Sequence, residues 1–193
     1  MRKSLNFWLI TVLAFLMTGC GNKFEPTESM IHITSKGEVQ SAVIESFDEP
    51  YYDFEELSDD VNDAVRMYCL DENEESVTVT SLTEANDTVS LIMNYQSVED
   101  YADFNEVLLF AGTFAEAIEA GYQPDSLYDA EGASADLNEE QMKDLKVIVT
   151  EESICVQTNS KIRYVSDNVT VLDKKLAKAM EAGKNHPAFV LYK

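Results

Sequence analysis

Two runs of alternating, β-branched residues constrain the fold of this chain more than any other feature. Ser76 to Thr83 and Thr88 to Gln96 alternate apolar and polar side chains, a pattern typical of strands with one buried face. The residues between them, Glu84 to Asp87, are of the kind found in hairpin loops. The two runs are therefore predicted to pair as a β-hairpin.

A second hairpin is predicted nearer the amino end, where Met30 to Thr34 and Glu38 to Phe47 alternate around a short turn. Helices are predicted to begin at Asp53, Ser97 and Thr113, because each is followed three residues later by a carboxylate. The first helix has an apolar stripe that should face the core, formed by Phe54, Leu57, Val61, Val65 and Tyr68.

The last third of the chain is predicted to be rich in strands. Residues 123–137 contain Pro, Asp, Ser and Gly and are predicted to form a loop. Short strands are expected at 146–150, 154–158, 161–166, 169–172 and 188–192, and short helices at 139–144 and 174–181. Hairpins joined by short helices predict the α+β class, with an antiparallel sheet, short helices packed on one side and a single domain over 30–193.

Charge excludes one class of partner. The chain has 36 Asp and Glu against 14 Lys and Arg, a formal charge of −22, which argues against nucleic-acid binding. Between Phe24 and Met142 the bases are Lys36 and Arg66, against 30 acids, whereas residues 143–193 have nine bases and six acids. Such asymmetry can mark an interaction surface, but the favoured interpretation is that it serves solubility alone.

The amino end is predicted to be a targeting signal. Arg2 and Lys3 precede an apolar stretch from Phe7 to Met17, which is shorter than the roughly 20 residues that a membrane-spanning helix needs. Leu16-Met17-Thr18-Gly19-Cys20 resembles the lipobox of bacterial lipoprotein precursors. The alternative is an ordinary secretory signal with an incidental cysteine.

The lipobox resemblance implies a lipid anchor. In that family the cysteine thiol, Cys20 in this chain, receives a diacylglycerol and the preceding peptide, residues 1–19, is removed. Two acyl chains give stable anchoring where one does not. Residues 20–29 are then expected to be a flexible tether, and the domain is expected on the outer face of the cell membrane. Removing 1–19 takes the formal charge from −22 to −24, since that segment holds two bases and no acid.

The order of elements over most of the mature chain is similar to that of small lipoproteins of Gram-positive anaerobes. The likeness rests on residues 52–57, 99–105, 112–122 and 164–169. That group has no assigned activity, so the resemblance implies an extracytoplasmic address and an architecture, and no catalytic residues.

Patterns associated with catalysis are weak. Gly132 to Asp136 lacks the second glycine of a hydrolase nucleophile elbow. Ser134, Asp173 and His186 occur in hydrolase order, but three such residues in order arise easily in a chain of this size. No catalytic residue and no cofactor is predicted.

Acidic clusters are predicted to be solvated surface and not metal sites. Glu55, Glu56, Asp59, Asp60 and Asp63 crowd one face of the first helix. Neither they nor the acids that precede Gly132 have the spacing of a calcium loop.

The two cysteines other than Cys20 leave two alternatives. Cys69 and Cys155 could form a disulfide outside the cytoplasm, which would stabilise the fold by about 3–5 kcal/mol. The favoured alternative is two separate thiols that pack as small apolar groups.

Four tyrosines lie near turns: Tyr51, Tyr52, Tyr122 and Tyr128. The favoured interpretation is that they cap the ends of small cores, and the alternative is a recognition surface. The favoured functional hypothesis is a non-enzymatic domain that binds a protein, peptide or glycan outside the cell. The alternatives are a carboxylate-dependent surface enzyme such as a glycan hydrolase, and a passive envelope component.

Overall fold

The computed structural model describes residues 24–71 and 75–193. The predicted signal segment 1–19 and the predicted lipid-attachment residue Cys20 lie outside the described residues. The described part contains two β-sheets and four short helices. This composition confirms the predicted α+β class, and the second sheet is a feature that the sequence did not predict.

The elements follow the chain in a strand-rich order. The strands are β1 (Met30–Ile33), β2 (Val39–Ser46), β3 (Val77–Ala85), β4 (Thr88–Tyr95), β5 (Leu109–Thr113), β6 (Leu127–Asp129), β7 (Lys146–Thr150), β8 (Cys155–Gln157), β9 (Ile162–Ser166), β10 (Val169–Asp173), β11 (Leu176–Ala179) and β12 (Ala188–Tyr192). The helices are α1 (Phe54–Asp71), α2 (Val98–Asn105), α3 (Phe114–Glu119) and α4 (Glu139–Met142).

The larger sheet has seven strands in the order β10-β11-β8-β1-β2-β4-β3. Its neighbours are antiparallel apart from β1 and β8, which run parallel. Both predicted hairpins are confirmed, as β1–β2 and β3–β4. The β3–β4 turn places Asn86 and Asp87 at φ 52° and 56°, the pair of left-handed conformations that a two-residue hairpin turn favours.

The smaller sheet has five antiparallel strands in the order β5-β7-β12-β9-β6. One face of each sheet contributes to the same buried core, so the two sheets pack against each other. Ile31 and Val156 enter this core from the larger sheet, and Ile148 and Val190 enter it from the smaller one. Burial between the sheets is therefore the main hydrophobic stabilisation of the fold.

The outer faces of the two sheets are covered differently. The smaller sheet is also buried on its outer face, where Val149 and Phe189 pack against Phe114 of α3 and Leu137. On the outer face of the larger sheet, Phe24 packs against a small cluster formed by Met30, Ala42 and Cys155.

Residues 24–29 lie on the outer face of the larger sheet, although 20–29 was predicted to be a flexible tether. Ser29 Oγ accepts a hydrogen bond from Ile44 N at 2.9 Å, and Ser29 O accepts one from Cys155 N at 3.2 Å. Glu28 pairs with Lys178. The segment is held on the sheet because its backbone and the Glu28 carboxylate both have partners there. Residues 20–23 lie outside the described residues.

The helix starts confirm the predicted caps. Asp53 Oδ1 accepts hydrogen bonds from the first backbone amides of α1, and Ser97 Oγ accepts one from Asp100 N at 2.9 Å. Thr113 and Glu116 form a reciprocal capping box at α3. The stripe of α1 is half-buried, and its Val65 and Tyr68 pack on the core between the sheets.

Two predicted elements differ from the structure. Residues 174–181 were predicted as a helix but contain strand β11, which pairs with β10 on one side and β8 on the other. Ala177 and Ala179 point into the core, so pairing and burial override the local helix preference of this segment. The predicted loop at 123–137 contains the short strand β6.

None of the helices in the described ranges combines the length and apolar character that crossing a membrane requires.

Candidate functional site

An exposed cluster of aromatic side chains lies in the linker between β2 and α1. The rings of Phe47 and Tyr52 stack with their centroids 4.8 Å apart, and Tyr51 meets Tyr52 edge-on at 5.0 Å. Tyr51 is 72% exposed and Tyr52 is 45% exposed. We call Phe47, Tyr51 and Tyr52 the aromatic patch. Ordered rings that remain in contact with solvent offer a large area for binding at small entropic cost.

Local hydrogen bonds fix the linker that carries the aromatic patch. Phe47 N donates to Asp87 O at 2.7 Å, which ties the end of β2 to the β3–β4 turn. Tyr52 N donates to Glu49 O at 3.0 Å, closing a turn with Pro50 at its second position, where proline is favoured. Asp53 then caps α1. The patch is therefore presented on a hydrogen-bonded linker between two regular elements.

Carboxylates surround the aromatic patch. The pKa of Tyr52 is raised, first by the neighbouring Tyr51, then by burial, and further by Glu49 and Asp48. Asp48 accepts a hydrogen bond from Ser46 Oγ at 2.8 Å. The patch thus lies in a negative potential.

Carboxylates are also frequent in the loops at one end of the molecule, which we call the acidic end. Strand registers place the end of β2, the β3–β4 turn, the β7–β8 connection, the β9–β10 turn and the segment after β11 together at this end. These loops contain Lys184 and a larger number of carboxylates: Asp48, Glu49, Asp87, Glu151, Glu152, Asp167 and Glu181.

This combination suits a cationic ligand. The face of an aromatic ring attracts a guanidinium or ammonium group through the ring quadrupole. Carboxylates nearby add charge-assisted hydrogen bonds to the same group, and a field of one sign steers an oppositely charged partner toward the site.

The four tyrosines that the sequence identified separate into two groups. Tyr51 and Tyr52 form the exposed patch, whereas Tyr122 and Tyr128 are half-buried. Tyr122 packs on Phe110, with the ring centroids 5.3 Å apart, and caps the outer core of the smaller sheet. The sequence gives no signal that Phe47 belongs to this patch, because the residue continues the alternation of β2.

The three residues in hydrolase order do not form a triad in the structure. His186 Nε2 lies 3.0 Å from Asp167 Oδ1, beside the start of β10, whereas Asp173 ends β10 at the opposite end of the sheet. Ser134 is exposed and forms an isolated bridge with Tyr128. The arrangement therefore gives no serine nucleophile with an assembled base.

The acidic clusters show no metal-binding geometry. Over the ranges 24–71 and 75–193, no three Asp, Glu, His or Cys side chains are arranged to hold a metal ion. In the loop before Gly132, Asp129 Oδ1 accepts hydrogen bonds from Glu131 N at 3.0 Å and Ala133 N at 2.8 Å. That carboxylate therefore stabilises its own turn.

One carboxylate has the desolvation that acid catalysis uses. Burial raises the pKa of Glu152, opposed by a hydrogen bond from Tyr101 and reinforced by Glu151. Glu151 accepts a hydrogen bond from Leu108 N at 3.0 Å and lines an open groove of about 680 Å³ beside α2, whose lining does not include Glu152. This groove therefore contains one acid of the pair and not both.

Cys69 and Cys155 are free thiols in the structure. Cys69 Sγ donates a weak hydrogen bond to Val77 O at 3.4 Å and packs on the core between the sheets. Cys155 belongs to the cluster on the outer face of the larger sheet, where burial is the main cause that raises its pKa to about 11. Each thiol therefore packs as a small apolar group in a different cluster.

Comparison of the chain with models of protein families, with curated proteins and with solved structures gives no match.

Proposed function

We propose that this chain is a membrane-anchored extracytoplasmic lipoprotein whose domain binds a cationic peptide segment and catalyses no reaction. The lipobox-like segment that ends at Cys20 supports the anchor. The exposed aromatic patch within the acidic end is the observation on which the binding function rests.

A cationic peptide is favoured over a neutral ligand by charge. The mature chain has a formal charge of −24 once residues 1–19, with two bases, are removed from a chain of −22. Glu49 and Asp48 add to the raised pKa of Tyr52, after the larger effects of Tyr51 and burial. An arginine side chain on the patch would contact ring faces and carboxylates at once, whereas an anionic polymer would be repelled.

The anchor is tested by replacing Cys20 with serine and expressing both forms in a bacterium that processes lipoproteins. The unchanged protein should sediment with membranes and carry a diacylglycerol on Cys20 by mass spectrometry. The Cys20→Ser protein should be released from membranes. Membrane association that survives this substitution would contradict the proposed anchor.

Binding is tested by isothermal titration calorimetry of the mature protein with hexa-arginine, a readout that does not depend on the tyrosines that the variants replace. Replacing Tyr51 and Tyr52 with alanine should weaken binding about five- to tenfold. Phenylalanine at both positions should restore it, because the ring faces remain.

The control variant removes two exposed apolar side chains elsewhere, Met67→Ala and Leu70→Ala on α1, which are 66% and 77% exposed. Its affinity for hexa-arginine should equal that of the unchanged protein. Equal weakening in both variants, or binding that depends on net charge alone, would contradict a role for the aromatic patch. Preferential binding of chitotetraose would indicate a glycan ligand instead.

A further inference from the structure

The end of the molecule opposite the acidic end carries a cluster of lysines. Strand registers bring together the β1–β2 turn, the β8–β9 turn, the β10–β11 turn and the end of β12. We call the lysines of these loops the basic rim: Lys36, Lys161, Lys174, Lys175 and Lys193. Lys36 is one of the two bases between Phe24 and Met142, and the fold places its loop at the same end as the other lysines of the basic rim.

Hydrogen bonds between the loops hold the basic rim together. Asn159 Nδ2 donates to Ile33 O at 2.6 Å, and Lys175 Nζ donates to Asn159 O at 2.8 Å. Lys193 N donates to Lys161 O at 3.1 Å. The rim is therefore a connected part of the fold, and not a set of unrelated surface side chains.

Several lysines of the basic rim remain available to a partner. Lys36, Lys161 and Lys174 are exposed. Two carboxylates, Glu38 and Asp173, adjoin these lysines in the same loops. Lys193 Nζ pairs with Asp144 Oδ2 at 2.7 Å, so Lys193 is not one of the available lysines. The exposed lysines project from separate turns, so they present positive charge over an area and not at a point.

The amino-terminal segment reaches the domain at this same end. The ring of Phe24 stacks on His32 with the centroids 6.2 Å apart, and His32 Nε2 lies 3.1 Å from Asn159 Oδ1 in the β8–β9 turn. A cleft of about 450 Å³ is lined by Glu25 together with Lys174 and Lys175, among other residues. The chain therefore leads out of the described residues beside the basic rim.

The length of chain between Phe24 and Cys20 limits how far the domain can stand from its anchor. Four residue steps separate the two positions, and a fully extended chain of that length spans at most about 14 Å. A lipid on Cys20 thus keeps Phe24, and the loops next to it, close to the headgroup layer.

We infer that the basic rim docks on anionic lipid headgroups of the membrane that holds the anchor, and so points the aromatic patch away from the bilayer. The inference rests on the proposed lipid anchor. Lysines near an anionic surface are attracted to it within about one Debye length, whereas the acidic end is repelled. Attraction of the basic rim and repulsion of the acidic end therefore orient the protein on the membrane, although its net negative charge by itself would repel it from the bilayer.

Lysine footprinting of the lipidated protein tests the orientation. The protein is reconstituted into vesicles of phosphatidylcholine alone or of equal parts phosphatidylcholine and phosphatidylglycerol. Lysines are then acetylated with a water-soluble ester and quantified by mass spectrometry. Lys36, Lys161 and Lys174 should react about fivefold more slowly on the anionic vesicles. Lys184 at the acidic end is the internal control and should react equally on both.

Added salt and a charge variant complete the test. In 1 M salt, where the Debye length is about 3 Å, the protection should disappear. In the variant Lys36→Gln, Lys161→Gln, the remaining Lys174 should lose its protection, whereas Lys184→Gln should leave it intact. Equal reactivity of the rim lysines on both vesicle types would overturn the inference. Failure of the anchor would be recorded separately, as an unmodified Cys20 in the mass spectrum.

Discussion

The hydroxyl of Tyr101 donates a hydrogen bond of 2.8 Å to Oε2 of Glu152. Tyr101 lies in α2 and is 3% exposed, and Glu152 lies in the connection between β7 and β8. The bond therefore joins a helix beside the core to the point where the chain passes from the smaller sheet to the larger one. Burial and the adjacent carboxylate both raise the pKa of Tyr101, so the hydroxyl remains a donor at neutral pH.

Replacing Tyr101 with phenylalanine should destabilise the fold by about 1–3 kcal/mol, because a partly buried carboxylate loses a donor while the ring is kept. Urea unfolding followed by circular dichroism measures the change. In a background that carries Glu152→Gln the same substitution should cost less, since the acceptor is then neutral. An equal cost in both backgrounds would show that the hydroxyl acts independently of Glu152.

The raised pKa of Glu152 gives a second prediction, on pH. Burial raises the pKa of this carboxyl above its ordinary value of 4.5, so the folded protein holds this proton to higher pH than the unfolded chain. The contribution of Glu152 to the free energy of unfolding therefore falls as pH rises from about 4.5 through the raised pKa.

Glu152→Gln should remove this contribution. Its free energy of unfolding, relative to the unchanged protein, should increase between pH 4.5 and neutrality in a series of urea titrations. Glu84→Gln, an exposed position on β3, is the control and should show no such increase. A difference that stays constant with pH would mean that burial does not shift the titration of Glu152.

Much of the fold follows from local patterns that individual residues carry. Alternation in residues 76–96, together with the turn at Asn86 and Asp87, is enough to predict the β3–β4 hairpin, since its strands are adjacent in sequence. The caps at Ser97 and Thr113 were predicted for the same reason, because each involves groups three residues apart.

Features that depend on distant pairing were not predictable. The parallel pairing of β1 with β8 joins Met30 to Cys155, and no local pattern signals it. The alanines and lysines of β11 favour a helix locally, so the sequence predicts a helix there. Pairing with β8 and β10 makes the segment a strand instead. Two of the three residues of the aromatic patch, Tyr51 and Tyr52, were candidates for a recognition surface from the sequence. The basic rim was missed, because its lysines come from separate turns that only the topology brings together.

The end of α2 gives a prediction on backbone conformation. Glu106 follows the helix at φ 55° and ψ 38°, and its N–H donates to Ala102 O and Asp103 O. A side chain in this left-handed region is disfavoured, whereas glycine adopts it without that penalty. Glu106→Gly should therefore stabilise the protein by about 0.5–1 kcal/mol.

Glu119→Gly provides the matched control, since Glu119 is an exposed glutamate in the last turn of α3. Glycine in a helix costs conformational entropy, so this variant should be destabilised by about 0.5–1 kcal/mol. Thermal unfolding measures both changes. Destabilisation of the protein by both substitutions would argue against strain at Glu106.

The two thiols give the last prediction. Cys155 is 1% exposed and the pKa of its thiol is raised to about 11, first by burial and then by Glu28, so it should be slow to react with a disulfide reagent such as dithionitrobenzoate in the native state. Cys69 is half-buried and should react faster.

Because both thiols are free in the structure, unfolding the mature protein without reductant should release two reactive thiols besides any at Cys20. Cys69→Ala should abolish the faster native phase, and Cys155→Ala should leave it unchanged. If the unfolded protein showed no reactive thiol until reductant was added, Cys69 and Cys155 would be bridged, and the separate packing of the two side chains would be wrong.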